Sequence, residues 1–570
     1  MMRASKFDKT FESKVACVLL LIAGCSSEPA GDSPQAHDVT PAISSSTLGA
    51  RSASPGPLFS SLTSTETGID FIHDWFPPER YPFDLETAMA GGGVAIGDYD
   101  NDGYPDVYLT RPSGGNRLFR NLGNFKFEDA TESAGLAKRF WGQGASFVDI
   151  DNDGDLDLHG CAHAALNRLY LNNGDGTFRE AAAEFGLDFR GASVMMTFAD
   201  YDLDGDLDGY LTTNHLNPPP GFKLGNAPMM SDGSILMPEH AREYRKVLYD
   251  ADGKPAVVRA GQFDHLFRND GGKFTEVTAE SGISGADHGL SATWWDYDGD
   301  GDPDLYVAND FTDPDYLYRN NGDGTFTNVI AEALPHTPWF SMGSAAADIN
   351  NDGRLDFIAS DMSGTNHFKQ KIGMGEMSES LWFLDLPTPR QYMRNALYLN
   401  TGTDRFMEAA YLTGLAGTDW TWSTNFADFD EDGMVDLLVT NGMTRDWQDS
   451  DLKAHVKTLG GKNSPRGRAF WINQPPKADP NLAFRNRGDF KFEESGDKWG
   501  LNHSGVSYGA ATGDHRWGWR PRSRCGELRR AGRGLPQQRL DRSPRRDSTS
   551  GNIKQPLWDW CTSHNTIGRS

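Results

Sequence analysis

Cysteine is scarce in this chain, with five among 570 residues. That is too few to build a disulfide framework at this length, so other forces must hold the fold. Cys161 has no partner close by and is expected to be buried. Basic residues are also in deficit: 54 Lys+Arg stand against 80 Asp+Glu, a net charge of −26. An acidic surface of that size argues against nucleic acid or an anionic membrane surface as partner. Zinc-type spacing is missing, since His73, His215 and His367 are scattered. No P-loop, nucleophile elbow or Ser-His-Asp order is present, so no catalytic residue is assigned. The apolar run Val15–Leu21 is too short to span a bilayer as a mature helix.

What the chain has in abundance is one phrase. Asp-x-Asp-x-Asp-Gly-x-x-Asp occurs six times, beginning at Asp98, Asp149, Asp200, Asp296, Asp348 and Asp428. Oxygens at alternate residues can converge on a hard cation, and the Gly permits the sharp turn that gathers them. Six Ca2+ sites are therefore expected. The side-chain ligands are read as Asp98, Asp100, Asp102 and Asp106; Asp149, Asp151, Asp153 and Asp157; Asp200, Asp202, Asp204 and Asp208. In the second half of the chain they are Asp296, Asp298, Asp300 and Asp304; Asp348, Asn350, Asp352 and Asp356; Asp428, Asp430, Asp432 and Asp436. The seventh residue, such as Tyr104 or Asp302, would add a backbone carbonyl. The competing reading is a set of acidic turns without metal. Charge opposes it, because two carboxylates ~4 Å apart repel by about 4 kcal/mol at an effective dielectric of ~20.

These loops are not EF-hands. An EF-hand needs a bidentate Glu at position twelve and flanking helices. Position twelve here is Leu109, Gly160, Leu211, Val307, Ala359 or Val439. The flanks read as strands, for example Gly93-Val94-Ala95-Ile96 before a loop and Leu305-Tyr306-Val307 after one. A second phrase follows, as in Asn116-Arg117-Leu118-Phe119-Arg120-Asn121 and Asn167-Arg168-Leu169-Tyr170-Leu171-Asn172. It continues through a Gly-rich turn to an aromatic residue: Phe125, Phe178, Phe274, Phe326, Phe406 or Phe490. Two hairpins make a four-stranded sheet, the unit of a β-propeller blade. Successive loops start 51, 51, 96, 52 and 80 residues apart, which is one unit with insertions in two places. Single blades cannot bury their faces, so they stack in a ring.

This pattern resembles the FG-GAP/VCBS repeat family, whose calcium-loop blades also form integrin-α-type propellers. Asp361-Met362-Ser363 and Arg390–Tyr398 further resemble bacterial proteins of that family that carry an ASPIC/UnbV domain, the cartilage acidic protein-like group. The resemblance covers residues 58–514 and implies an all-β, seven-bladed β-propeller. Six blades would be complete and the seventh truncated, with helical and loop insertions gathered on one face. The motif is specific for fold and metal and weak for biochemical role.

The ends read differently. Arg3, Lys6, Lys9 and Lys14 precede the apolar run, and Ile22-Ala23-Gly24-Cys25 resembles a lipobox. Residues 1–24 are read as a signal peptide, with lipidation at Cys25; an ordinary signal with an incidental Cys is the alternative. Residues 25–57, rich in Ser, Pro, Ala and Gly, form a tether. An outer-membrane lipoprotein, or a protein at the cell surface or in the periplasm, is expected, held to the membrane by lipid alone. Residues 515–570 carry 13 Lys+Arg against 4 Asp+Glu, a charge of +9. Where a seventh loop is due after Asp514, the chain reads His515-Arg516-Trp517-Gly518. One permitted coding of that stretch, shifted by a base, reads Ile-Asp-Gly-Asp-Gly-Asp-Leu-Asp. The same shift over Gly534–Arg539 can give Val-Tyr-Arg-Asn-Asn. A frameshifted, disordered tail is expected; a genuine Arg-rich tail for an acidic partner is the rival.

Leu58–Phe71 resembles the closing strand of a blade and should lack a sheet to join. The insertions are 213–262, with a helical run expected around Glu239–Leu248, then 361–394 and 441–480, with Asp449–Leu459 helical. They are expected to bind a protein or glycan ligand, although simple caps remain an alternative. Trp294-Trp295 and Trp420-Thr421-Trp422 fit packing between blades better than sugar stacking. A monomeric binding or adhesion module is expected. The rival is a polysaccharide-active enzyme or lectin using the central axis, where His73 or Asp74 could act, or the insertion face.

Overall fold

In the computed structural model, residues 57–73 and 91–513 are described, apart from 220, 226, 232, 250–252, 311–313, 374–388 and 463, together with a strand at Val18–Leu20. Cys25, the tether, Asp74 and the basic tail lie outside the described residues.

Each acidic loop joins two strands, and each second phrase opens another hairpin. Among the described residues the result is six four-stranded antiparallel units, the second and third joined into one eight-stranded sheet where Arg190–Ala192 pairs with His163–Leu166. The first is Val94–Gly97, Asp106–Leu109, Arg117–Asn121 and Phe127–Asp129, paired in that order. The fourth is Gly289–Trp295, Asp304–Asn309, Tyr316–Asn320 and Phe326–Asn328. The second, third, fifth and sixth repeat this plan, with second strands Asp157–Leu166, Asp208–Thr213, Asp356–Ala359 and Asp436–Asn441. Those second strands read as nearly continuous apolar runs because both faces are covered. Asp106–Leu109, Asp304–Asn309 and Asp436–Asn441 are buried at every position, as expected for a strand sandwiched between sheets.

Each sheet packs on the next. Tyr108 and Leu118 meet Leu158 and Tyr170; Cys161 and Leu169, with the expected burial of Cys161, meet Leu211 and Phe267. Tyr210 meets Leu305 and Tyr318, Tyr306 meets Phe357 and Tyr398, and Ile358 and Leu397 meet Leu437 and Val439. Trp294 and Trp295 point to opposite sides, one beside Tyr210 and the other beside Phe357. Trp420 and Trp422 lie in a cluster with Met342 and Met443. Both pairs therefore pack between sheets.

The ends of this succession meet. Ala510–Thr512 touches the first strand of the first sheet and that of the sixth, and pairs in parallel with Val18–Leu20. Tyr508 lies between Trp422 and His73, its ring tilted against both with centroids 5.4 and 5.0 Å away. The segment Leu58–Phe71 joins no sheet, as expected, and it packs against the sixth and first sheets. Phe59 N–H donates to Trp499 O at 2.7 Å, as Phe178 does to Ala134 and Phe326 to Ser281 one repeat along. The turn Ser64–Thr67 ends at Gly68 in the left-handed conformation, and Ile69 and Phe71 pack on the first sheet. The local signal survives because these contacts run to the neighbouring sheets, not only within one.

One expectation is corrected. Glu239–Leu248 is not helical: a short 3-10 turn, Glu239–Ala241, is followed by a hairpin of Arg245–Tyr249 with Pro255–Arg259. The helix expected at Asp449–Leu459 forms as Ser450–Thr458, with Asp449 capping its N-terminus. The second and third insertions touch: Ser450 Oγ donates to Ile372 O at 3.1 Å, and Lys369 pairs with Asp479 at 3.0 Å.

Candidate metal centres

The loops share one geometry. Position six is a left-handed Gly, with φ of 94° at Gly103, 97° at Gly154 and 101° at Gly205. Position four is left-handed as well, at Asn101, Asn152, Leu203, Gly299, Asn351 and Glu431. Two such residues, two apart, fold the chain so that alternate side chains face inward.

Each carboxylate then has a distinct task. At position one, Asp98 Oδ2 accepts from Gly103 N–H at 2.9 Å and ties the turn shut; Asp149 and Asp200 do the same with Gly154 and Gly205. Their other oxygens, Oδ1 of Asp98, Asp149 and Asp200, are buried and meet no hydrogen-bond partner. At position nine, Asp106 accepts from Tyr99 N–H at 3.1 Å and from Asn121 N–H at 2.7 Å. The equivalent bonds recur at Asp157, Asp208, Asp304, Asp356 and Asp436.

Within five loops three carboxylates each offer an oxygen within 4.8 Å of the others. They are Asp98, Asp100 and Asp106; Asp149, Asp151 and Asp157; Asp200, Asp202 and Asp208; Asp296, Asp298 and Asp300; Asp428, Asp430 and Asp436. Calcium binds oxygens at 2.3–2.6 Å, so two ligands of one ion lie up to about 5 Å apart. The donor set and spacing fit. The fifth-position residues Asp102, Asp153, Asp204 and Asp432 stand outside their triads, as does Asp304 in the fourth loop. The fifth loop forms no such triad. Asn350 stands at its third position, and Asp352 is paired with Arg354.

Electrostatics make these clusters costly without a cation. Burial, followed by the neighbouring carboxylates, pushes Asp98, Asp149 and Asp200 up to about 6. Burial likewise pushes Asp106, Asp208, Asp304 and Asp436 up to about 8. The site therefore penalises ionisation, most strongly at position nine, and a divalent ion would offset that penalty.

Two recurring polar positions escaped sequence reasoning. The Asn ending each second phrase reaches into the preceding sheet's loop: Asn172 Nδ2 donates to Tyr99 O, Asn320 to Tyr201 O and Asn400 to Tyr297 O, each at 2.7 Å. Opening the same phrase, Asn116, Asn167, Asp264, Asp315, Asn395 and Asn481 accept an N–H from the end of the second strand. Asp315 is a fully buried carboxylate and Asp264 a part-buried one, met by the Tyr306 and Tyr210 hydroxyls respectively. Their burial is structural. His73, raised as a catalytic candidate, is buried with Nε2 against Gly91 O.

The repeat is matched by the family model for the FG-GAP-like repeat over residues 83–159, 161–210, 249–307 and 296–359. The chain carries FG-GAP-like repeats. It is distantly similar to cartilage acidic protein 1 of Xenopus tropicalis, 21% identical over 433 residues, which is 68% of this chain and 61% of that protein. Cartilage acidic protein 1 of Homo sapiens is 25% identical over 204 residues, 29% of this chain and 30% of that protein. The chain thus spans less than two thirds of the length of these curated relatives. Among solved structures, an Agrocybe aegerita lectin that recognises non-reducing terminal N-acetylglucosamine aligns over 73% of this chain and 84% of its own. The identity is 15% and the TM-score 0.37. The FG-GAP-like repeats carry the acidic loops on which the chemistry of this chain rests.

Proposed function

We propose that this chain is a calcium-stabilised, seven-bladed β-propeller. It would act outside the cytoplasm as a monomeric binding or adhesion module, and take a protein or glycan ligand on the face bearing its three insertions. The observation that carries the metal reading is the buried, partnerless Oδ1 of Asp98, Asp149 and Asp200, each beside two further carboxylates. A buried polar oxygen without a partner costs about 1–3 kcal/mol, and a charged one more, unless something binds it. Seven blades are supported by the seating of Ala510–Thr512 and Phe59 beside the sixth sheet, at the inner and outer positions a further sheet would occupy.

The ligand face is supported by exposed apolar side chains on the insertions. Met229 and Phe368 are each more than 60% exposed, on insertions carried by a rigid sheet scaffold. Secretion and anchoring through lipidated Cys25 belong to the same proposal. Cys25→Ser should move the protein from the membrane fraction to the soluble one.

The test pairs a glycan and matrix-protein binding array with a panel of polysaccharide hydrolase and lyase assays. Both use the full chain, with calcium and with chelator. Calcium-dependent capture of a ligand without turnover supports a binding module. Turnover of a polysaccharide would replace it with the enzyme reading.

A further inference from the structure

The six acidic loops are not electrostatically equal. The residue before the interface Asn is Arg120 in the first repeat, Leu171 in the second, Arg268 in the third, Arg319 in the fourth, Leu399 in the fifth and Arg485 in the sixth. In the first repeat the guanidinium lies across two carboxylates of the loop. Arg120 Nε meets Asp100 Oδ2 at 2.5 Å, and a terminal nitrogen meets Asp102 Oδ2 at 3.0 Å. In the sixth repeat Arg485 pairs with Asp430 at 2.6 Å and Asp432 at 2.8 Å. The fifth loop has an arginine of its own. Arg354 pairs with Asp352, and its Nε donates to Asn400 O at 3.2 Å.

The other three loops lack such a pairing. Leu171 carries no charge. Arg268 is held by Asp270, with hydrogen bonds of 2.9 and 3.2 Å. Arg319 lies near Asp298 and forms no ion pair with it.

Building on the calcium reading, we infer that Arg120, Arg354 and Arg485 act as built-in cations. They hold loops one, five and six closed without calcium, whereas loops two, three and four depend on the ion. The planar fork of arginine suits this role, because it can satisfy two carboxylates at fixed geometry. The same positive charge repels an incoming divalent ion, so loops one and six bind calcium more weakly than loops two to four. The arrangement is regional. Sheets five, six and one are neighbours through the segment Ala510–Thr512, whereas sheets two, three and four are contiguous. Falling calcium would therefore loosen one side of the body while the other stays formed.

The test is amide hydrogen exchange of the full chain with saturating calcium and with chelator, together with a calcium titration by calorimetry. Chelation is expected to speed exchange at least about tenfold in 149–157, 200–208 and 296–304, and to leave 98–106, 348–356 and 428–436 within twofold. In Arg120→Leu and Arg485→Leu, which place there the residue of the second and fifth repeats, loops one and six should become chelator-sensitive. Their calcium affinity should rise at least tenfold, about 1.4 kcal/mol. Equal deprotection of all six wild-type loops would overturn the inference and leave the calcium reading standing. No calcium-dependent change in any loop would overturn the calcium reading, and the inference with it. If either variant fails to fold, wild-type exchange alone decides between these outcomes.

Discussion

Replacing Asn320 with Ala should cost about 3 kcal/mol of folding free energy without removing any carboxylate of the acidic loops. Asn320 is 2% exposed. Its Nδ2 donates to Tyr201 O at 2.7 Å, in the preceding sheet's loop, and to Pro303 O at 3.2 Å. Its Oδ1 accepts from Gly322 N–H at 3.0 Å. Truncation strips partners from three backbone groups at once. A buried polar group left unsatisfied costs about 1–3 kcal/mol, and Gly322 is near enough to solvent to recover part of its share. The neighbouring Asn321 is the control. Its Nδ2 donates to Thr325 Oγ1 at 3.0 Å and its Oδ1 accepts from Thr327 Oγ1 at 3.2 Å, both on an exposed turn, so Asn321→Ala should fall within about 0.5 kcal/mol. Equilibrium urea unfolding at saturating calcium measures both, with an unchanged m-value as evidence that the change lies in stability. A loss below about 1 kcal/mol for Asn320→Ala would refute the idea that this asparagine joins adjacent sheets.

Chelation should lower the melting temperature of the full chain, because a ligand at 100 times its Kd stabilises by about 2.7 kcal/mol per site. Asp151→Ala and Asp298→Ala should each reduce the bound-calcium count by one, read by calorimetry. In calcium-free protein the position-nine carboxylates of Asp106 and Asp304 are pushed up to about 8 by burial. A raised acid favours the folded state while protonated, so stability should fall as pH rises from about 4 toward 8. Added calcium should therefore shift the urea midpoint more at pH 8 than at pH 5, and a pH-independent shift would contradict this. At Gly500, φ is 79° and an added Cβ would sit 2.3 Å from Phe59 O. Gly500→Ala should cost well over the ~1–2 kcal/mol of left-handed strain alone and should loosen residues 57–73 in exchange experiments. Gly176→Ala, also left-handed but with open space around it, should cost only the strain.

The acidic loops were legible because their signal is local. Nine residues contain both the left-handed turn and the carboxylates, so spacing alone places Asp98, Asp100 and Asp106 around one point. The strands around them were legible for the same reason. What the sequence could not reveal was reach. Asn320 stands 119 residues from Tyr201, its partner, and periodicity marks such an Asn as recurrent without saying which sheet it touches. Nothing in the local pattern singles out Asp264 or Asp315. Only the fold brings Tyr210 and Tyr306 to them. The helix expected over Glu239–Leu248 failed because a hairpin partner lies just beyond it. Lys246↔Val258 and Leu248↔Ala256 pair across a turn containing Gly253, with φ of 76°. The Asp252-Gly253 step was a readable hairpin signal. At the fifth loop, Asn350 and Arg354 were both visible, but the guanidinium's return onto Asp352 depended on its rotamer.

The acidic loops and the insertions lie at opposite ends of the same strands. Asp208 belongs to the third loop and opens Asp208–Thr213; the first insertion leaves at the far end of that strand. Six residues at about 3.3 Å each separate them by roughly 20 Å. No carboxylate of the loop can then touch a ligand seated on the insertions. Calcium can influence binding there only through the strands and their packing. Coupling of that kind requires the ion to shift a two-state element that the ligand also senses. The second strands offer little room for one, being buried on both faces and bonded along both edges. Dependence of ligand binding on calcium should therefore follow the fraction of chain that is folded, and not the number of ions bound. At a temperature well below melting, Asp151→Ala should bind ligand as wild type does. Near melting it should fail in proportion to its lost stability. Weakened binding in that variant while its sheets remain fully protected from exchange would mean that an ion acts on the ligand face by a route these strands do not supply.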